Sequence, residues 1–270
     1  MSPDSATLVE IVAVGRELLT GHTVDTNSAW LAASLVRLGS RVARITVVDD
    51  DLAAIADALT AACGRGAALL VTTGGLGPTA DDCTLAGVAE AFGRRLEEHP
   101  AALAFVARRY GELAAAGAVA DPALTPSRRK MAALPAGAQP LDNPIGSAPG
   151  VLLNVGHHTV ITLPGVPVEM RAVFEAATSH VRARLGAATY VAEREIASGL
   201  GDESLMAAAL ERVAAAVPGA HLKSLATTFS PSCDLQVRIT ATGADQAEAD
   251  ARLARALEYL TEELARLQRR

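Results

Sequence analysis

Cysteine and aromatic residues are scarce in this chain of 270 residues, and so are basic runs and long apolar runs. Cys63, Cys83 and Cys233 are far apart and follow no metal-ligand spacing, so neither a disulfide framework nor a zinc site is expected. The net charge is −6 and the only run of three basic residues is Arg128-Arg129-Lys130, so the sequence shows no basic surface that would bind nucleic acid. No apolar run exceeds the length of a strand, and the N-terminus lacks a signal-type segment. These absences favour a soluble cytoplasmic protein without nucleic-acid or membrane partners.

Short apolar runs alternate with helical patterns over the first two thirds of the chain, and this alternation predicts an α/β fold. Strands and helices that alternate at this spacing form a three-layer structure, in which helices cover both faces of a mostly parallel sheet. Ligands of such sheets bind beyond the carboxyl ends of the strands. The predicted strands are residues 8–15, 41–48, 67–73, 151–155 and 159–163, and the predicted helices are residues 27–38, 52–63, 81–92, 100–117 and 168–185.

The pattern changes near Gly186, which predicts a second, smaller domain. Residues 1–186 are expected to form a nucleotide- or phosphate-binding domain, and residues 187–270 a small α/β appendage. Residues 121–150 are punctuated by proline and glycine, so they form either a functional loop or short strands of their own. In the appendage the predicted strands are residues 190–197, 221–228 and 234–241, and the predicted helices are residues 202–216 and 243–267.

A glycine-rich run with two adjacent carboxylates lies between a predicted strand and a predicted helix, over residues 72–84. Its glycines let a ligand approach the main chain, and the N–H groups of the following helix favour an anion such as phosphate. Asp81 and Asp82 would repel that phosphate unless a cation stood between them, which favours Mg²⁺ or a similar ion. In the alternative, one aspartate caps the helix and the other is a solvated residue of its first turn.

Glu17 follows the first predicted strand, so its carboxylate would face the same crevice as that of Asp82. It would add an oxygen ligand for a hard metal, or it would form an ion pair with Arg16 or Arg44. Asn27 opens the first predicted helix, where it would serve as an N-cap, and Asp25 or Thr26 could serve equally.

Other polar residues near the predicted strand ends are candidates with two interpretations each. Asp49 would hold a ribose hydroxyl or cap the next helix. Thr84 would donate to a phosphate or bond back within its helix. Asn143 and Ser147 lie in a rigid loop, which either presents polar side chains or forms a turn. The tight turn at Gly165 would offer its amides to a second phosphate.

Four motifs occur in the first two thirds of the chain. They read GRELLTGHTVDTN at residues 15–27, TGGLGPTADDCT at 73–84, NPIGSAPG at 143–150 and LPGVPVEM at 163–170. In this order they resemble the N-terminal domain of the CinA family, which has the molybdopterin-binding fold of the MoaB and MogA type. The resemblance is strong over residues 8–185 and weak beyond them.

The resemblance implies metal-dependent hydrolysis of a nucleoside diphosphate sugar, with ADP-ribose as substrate and AMP and ribose 5-phosphate as products. The alternative is a molybdopterin- or nucleotide-binding protein without turnover, since the family also carries a molybdopterin-binding label. A third interpretation, a structural or regulatory subunit, would leave the carboxylates without metal.

The resemblance also implies the site residues and the cofactors. Asp82, Asp81 and Glu17 are the expected catalytic and metal-binding residues, for Mg²⁺ or a similar divalent cation and with a monovalent ion as a further option. Relatives of this fold commonly assemble, so a homo-oligomer is expected. The expected ligand-binding residues are Gly15, Asn27, Asp49, Gly74, Gly75, Leu76, Gly77, Thr84, Asn143, Ser147 and Gly165.

Two residues depart from the family pattern. Arg16 stands where a small polar residue is usual, and it would add a phosphate contact or fill space that a ligand needs. Ser147 stands where threonine is usual, and the hydroxyl survives this change. Full-length members carry a further C-terminal domain that deamidates nicotinamide mononucleotide. This chain is expected to be a stand-alone form that releases no ammonia from that compound.

Overall fold

The computed structural model describes residues 7–185, 190–225 and 235–269, which form two compact units. The first unit comprises Thr7–Leu35 and residues 40–185, and the second comprises residues 190–225 and 235–269 with Val36–Gly39. Cys233 and parts of the strands predicted over residues 221–228 and 234–241 lie outside the described residues. What each unit binds stays a prediction.

Strands and helices alternate along the first unit, as the sequence predicts. The strands are β1 (Leu8–Val14), β2 (Arg41–Val48), β3 (Leu69–Thr73), β4 (Leu96–Glu98), β5 (Ala133–Pro135), β6 (Gln139–Leu141), β7 (Gly150–Val155) and β8 (His158–Leu163). The helices are α1 (Arg16–Leu19), α2 (Thr26–Arg37), α3 (Leu52–Gly64), α4 (Thr84–Ala91), α5 (Pro100–Ala115), α6 (Pro126–Lys130) and α7 (Pro167–Leu185).

The main sheet has the strand order β2-β1-β3-β8-β7-β6. Neighbours from β2 to β8 pair in parallel, whereas β7 and β6 pair antiparallel at one side, which confirms the predicted mostly parallel sheet. The register sets Ala13 opposite Thr73 and Thr73 opposite Leu163. The chain therefore leaves β1, β3 and β8 at the same edge of the sheet, which is called the carboxyl edge below.

Helices cover both faces of this sheet, because successive strand residues alternate between the faces. Val12 and Leu70 pack in one core cluster with residues of α3, α4 and α5. Ile11 and Val71, their neighbours in the two strands, are buried as well. Trp30 of α2 meets Phe174 of α7 edge to face, with 5.5 Å between ring centroids. The predicted three-layer α/β fold is confirmed.

Two local predictions need correction or completion. Helix α4 begins at Thr84 and not at Asp81, because the Asp82 carboxylate accepts the backbone N–H of Thr79 and closes a turn before the helix. Neither aspartate is the N-cap, since Cys83 occupies that position. The segment of residues 121–150 contains α6, β5 and β6, so it carries short elements of its own and is not a bare loop.

The second unit consists of β9 (Tyr190–Ala197), α8 (Glu203–Ala216), β10 (Ala220–Leu225), β11 (Gln236–Gly243) and α9 (Gln246–Gln268). Its three strands pair antiparallel in the order β10-β11-β9. Val237 and Ile239 of β11 pack against Met206 of α8 and Leu260 of α9. Among the described residues, no helix of either unit is long and apolar enough to cross a membrane.

An ion pair ties β1 to the end of α3 in the first unit. The side chain of Glu10 is only 2% exposed, and Arg65 donates to both of its oxygens at 2.8 and 2.6 Å. A buried carboxylate that loses its partner is costly, because desolvation is no longer offset.

We expect Arg65→Met to lower the free energy of unfolding by about 2–3 kcal/mol, since it leaves Glu10 buried and unpaired. Arg108→Met is the control, because Arg108 and its partner Glu112 are about half exposed and such pairs contribute at most about 1 kcal/mol. Urea denaturation of both variants measures the difference. Equal losses in the two variants would contradict this interpretation of the Glu10 pair.

Candidate functional site

A cleft of about 270 Å³ opens at the carboxyl edge of the first unit. Its walls come from the loops that follow β1, β3 and β8, and from the start of α2. This is the edge at which ligands of parallel sheets bind. The predicted site residues that line the cleft are Gly15, Glu17, Asn27, Gly74, Gly75, Asp81, Asp82 and Gly165.

Six predicted ligand-binding residues do not line this cleft. Leu76 is a core residue, Gly77 lies beneath the Asp82 carboxylate, and Asp49 is held by Arg16. The remaining three are Thr84, Asn143 and Ser147. The first two of these are fully buried and organise the surrounding loops, as described below.

Asn27 joins two of the loops that form the cleft. Its Nδ2 donates to Thr73 Oγ1 at 3.2 Å and to the backbone oxygen of Gly165 at 2.7 Å. Its Oδ1 is buried and accepts no hydrogen bond within the described part of the chain. The N-cap interpretation of Asn27 is wrong, because Asp25 Oδ1 accepts the backbone N–H of Ser28 at the start of α2. Asn27 therefore presents a buried acceptor at the cleft wall.

The glycine turn after β3 is packed against its neighbours more closely than any side chain allows. Gly74 has φ +104°, and a Cβ built there would lie 2.1 Å from the backbone oxygen of Val14. Gly75 has φ +64°, and its Cβ would lie 2.3 Å from Thr84 Oγ1. That hydroxyl donates to the backbone oxygen of Gly74 at 2.8 Å. Thr84 thus holds the turn from inside, and its hydroxyl does not bond back within its own helix. The phosphate contact of Thr84 stays a prediction.

Backbone amides of the glycine turn divide into two groups. The amide of Gly74 donates to Leu163 O at 3.0 Å, and that of Thr84 donates to Gly75 O at 3.3 Å. These two are used inside the protein. The amide of Gly75, a cleft-lining residue, makes no backbone hydrogen bond within the described residues. The glycine turn therefore offers an anion fewer backbone amides than its number of glycines indicates.

Asp81 and Asp82 lie in a turn that Thr79 closes. Asp82 Oδ2 accepts the Thr79 amide at 2.9 Å and the Thr79 hydroxyl at 2.5 Å. The neighbouring Thr79 side chain and the backbone N–H of Asp81 itself lower the pKa of the Asp81 carboxyl, with smaller effects from the positive charges of Lys130 and Arg16. The ammonium of Lys130, at the end of α6, donates to Thr79 O. Lys130 was missed from the sequence, where the only signal was its rarity as one of two lysines.

The three aspartates after β2 have separate roles. Both oxygens of Asp49 accept from the Arg16 guanidinium, at 2.9 and 3.0 Å, and this contact lowers the pKa of Asp49. Asp50 accepts the backbone N–H of Arg16 and lines the cleft. Asp51 caps α3 by accepting the N–H of Ala54. The expectation that Asp49 caps that helix is wrong, and Asp50 is the member of the run that sequence reasoning missed.

Asn143 organises the loop between β6 and β7. It is fully buried, and its Oδ1 accepts the backbone N–H groups of Ile145 and Gly146 at 3.1 and 2.8 Å. Its Nδ2 donates to Ala148 O at 2.8 Å and to Glu169 Oε2 at 2.9 Å. The turn interpretation of Asn143 is the one that the structure supports. Ser147 is half-buried in this loop and does not line the cleft.

Carboxylates dominate the electrostatics of the cleft, since Glu17, Asp25, Asp50, Asp81 and Asp82 all line it. No arginine or lysine is among the lining residues that the structure describes. An anionic ligand would meet repulsion there unless it carried a cation with it.

The predicted metal ligands are not gathered into a ready-made cage. Among the described residues, no three His, Cys, Asp or Glu side chains lie close enough together to hold a metal ion. Mg²⁺ is usually held by one or two carboxylates together with ligand phosphates and waters. The donors at the cleft therefore fit a hard cation that binds jointly with a phosphorylated ligand, with Asp81 and Asp82 as its first candidates.

Comparison with known proteins places this fold and cleft in a class. A family model described as "Probable molybdopterin binding domain" matches residues 10–183. A protein from Aeropyrum pernix is 41% identical over 249 residues, which cover 92% of this chain and 90% of that protein. A CinA-like protein from Parasynechococcus marenigrum is 39% identical over 248 residues, and the match covers 91% of this chain and 56% of that protein.

A solved structure narrows the class further. The crystal structure of the protein CinA from Thermoplasma acidophilum, described as having unknown function, is 41% identical to this chain. The match has a TM-score of 0.60 and covers 66% of this chain and 99% of that chain. This chain therefore belongs to the molybdopterin-binding domain family, among its CinA-like members.

We expect Gly74→Ala to lower the free energy of unfolding by at least about 2 kcal/mol, because the new methyl group meets the Val14 carbonyl at a strained φ. Gly111→Ala in α5 is the control, since no atom outside its own stretch of helix lies within 4 Å of the added Cβ. It should raise stability by up to about 1 kcal/mol through helix propensity. Chemical denaturation of both variants tests this, and an unchanged midpoint for Gly74→Ala would show that the turn is not tightly packed.

Proposed function

We propose that the first unit binds a small phosphorylated ligand, a pterin or a nucleotide, in the carboxyl-edge cleft together with a divalent cation. The observation that carries this proposal is the combination of an unbonded Gly75 amide with five carboxylates around one cleft. The amide suits a phosphate oxygen, and the carboxylates suit a cation that neutralises it. Membership in a molybdopterin-binding domain family supports a ligand of this kind.

In this proposal Asp82 and Asp81 would hold the cation. Glu17 lines the same cleft and would bind a water molecule coordinated to the cation. A bound Mg²⁺ supplies charge neutralisation at the phosphate and lowers the pKa of a coordinated water. The protein residues hold the geometry. Thr79 and Lys130 fix the aspartate turn, and Asn27 fixes the loops on the other side.

The second candidate function is hydrolysis of a nucleoside diphosphate sugar such as ADP-ribose. The observation that favours it is the number of carboxylates, which exceeds what simple retention of one phosphate requires. Water would bond to one phosphorus, the bridging P–O bond would break, and AMP and ribose 5-phosphate would leave. The lowered pKa of Asp81 keeps that group ionised, so it would act as a charged ligand or acceptor and not as a proton donor.

We expect Asp82→Asn to weaken Mg²⁺-dependent binding of ADP-ribose by about 10–100-fold, since it removes a charge but keeps an oxygen for the Thr79 contacts. Asp57→Asn is the control, because Asp57 is exposed on α3 away from the cleft-lining residues. Isothermal titration calorimetry with and without Mg²⁺ measures both variants. Thermal melting should be similar in the two.

The same samples separate the two candidate functions. Binding without release of AMP supports a binding protein, whereas AMP release that Asp82→Asn abolishes supports hydrolysis. Binding by Asp82→Asn with the metal dependence of the parent would contradict the role given to this carboxylate. Assembly into a homo-oligomer and a cytoplasmic location also stay predictions.

A further inference from the structure

Val24 has the most exposed large apolar side chain in the described part of the chain, and it lines the cleft. It is 80% exposed, compared with 54% for Leu19 in the same connection between β1 and α2. When a ligand covers a solvent-exposed apolar side chain at a cleft, the free energy of binding becomes more favourable.

The backbone around Val24 is held by hydrogen bonds on both sides. The amide of Thr23 donates to Glu17 O at 3.1 Å, and the amide of Thr26 donates to Val24 O at 2.8 Å. The amide of Gly21 donates to Leu18 O at 3.3 Å. These bonds fold the connection back on itself, so the Val24 side chain has a defined position at the cleft and is not a loose loop tip.

The cleft therefore has two kinds of wall. Gly75, Asp81 and Asp82 supply a polar wall that suits a phosphate with its cation, whereas the connection between β1 and α2 contributes two apolar side chains, Leu18 and Val24, beside the carboxylates of Glu17 and Asp25. The volume of about 270 Å³ lies below the roughly 300–1,000 Å³ of pockets that enclose a whole organic ligand. Part of a phosphorylated ligand must then lie at the rim, against whatever side chains are exposed there.

We propose that Val24 and Leu18 form the subsite for a planar aromatic ring, a purine or a pterin, whose phosphate lies at the glycine turn. This inference rests on the proposed function and specifies the ligand of the same cleft. Flat heteroaromatic rings have large apolar faces, and branched aliphatic side chains cover such faces well.

The test compares two probes that share a sugar phosphate and differ in the ring. AMP carries a purine, and ribose 5-phosphate has no ring. With Mg²⁺ present, Val24→Ser should weaken AMP binding by about 5–10-fold and leave ribose 5-phosphate binding unchanged, because only the ring loses its apolar contact. Since Val24 is exposed, folding should be unaffected, and a melting curve checks this.

Leu19→Ser is the matched control, since Leu19 is exposed in the same connection but does not line the cleft. It should change the affinity for neither probe. A third probe, neopterin monophosphate, identifies the source of the ring. If the parent binds this pterin and not AMP, the loss on Val24→Ser should appear with the pterin, and that result also supports the subsite.

Three results would overturn the inference. In the first, Val24→Ser weakens ring-bearing and ring-free probes equally, which would mean that the side chain shapes the phosphate end. In the second, the variant binds a ring-bearing probe as the parent does. In the third, Val24→Ser changes only the apparent size of the protein on gel filtration, which would assign Val24 to a contact between two copies of this chain. If the parent binds none of the three probes, the proposed function itself fails.

Discussion

Three backbone turns approach one another at the carboxyl edge of the sheet, and glycine is the residue that permits the approach. The turn after β3 lies against the end of β1, where a Cβ at Gly74 would come within 2.1 Å of Val14 O. On its other side is the turn after β8, where a Cβ at Gly165 would lie 3.3 Å from Gly74 Cα. Because these loops lie close together, residues of each line the same cleft.

Hydrogen bonds between distant segments keep the loops together. Asn27 bonds to both Thr73 and Gly165, and Lys130 reaches the turn that carries the aspartate pair. A second layer, centred on Asn143 and Glu169, orders the neighbouring loop. Several polar residues of the family motifs thus hold the loops, and two of them, Thr84 and Asn143, do not line the cleft. Such support is what a binding site needs to keep its groups in place.

The site residues that sequence reasoning placed well are those whose roles follow from local position. Glu17, Gly75 and Asp82 lie in the connections that follow β1 and β3, and the ends of these strands meet at one edge of the parallel sheet. The sequence does not distinguish Asp49 from Asp50, because adjacent carboxylates differ in role only through partners elsewhere in the chain. Arg16 forms an ion pair with Asp49, whereas Asp50 lines the cleft.

From the sequence alone follow the α/β class, the mostly parallel sheet, the family and the edge of the sheet at which the cleft opens, because periodicity and local motifs encode them. The tertiary structure decided which motif residues reach the cleft. Thr84 is buried with its hydroxyl on Gly74 O, and Asn143 is buried and donates to Glu169, 26 residues further along the chain. Lys130 donates to Thr79, 51 residues earlier in the chain. Such contacts depend on how separate segments pack, and no local pattern in the chain records them.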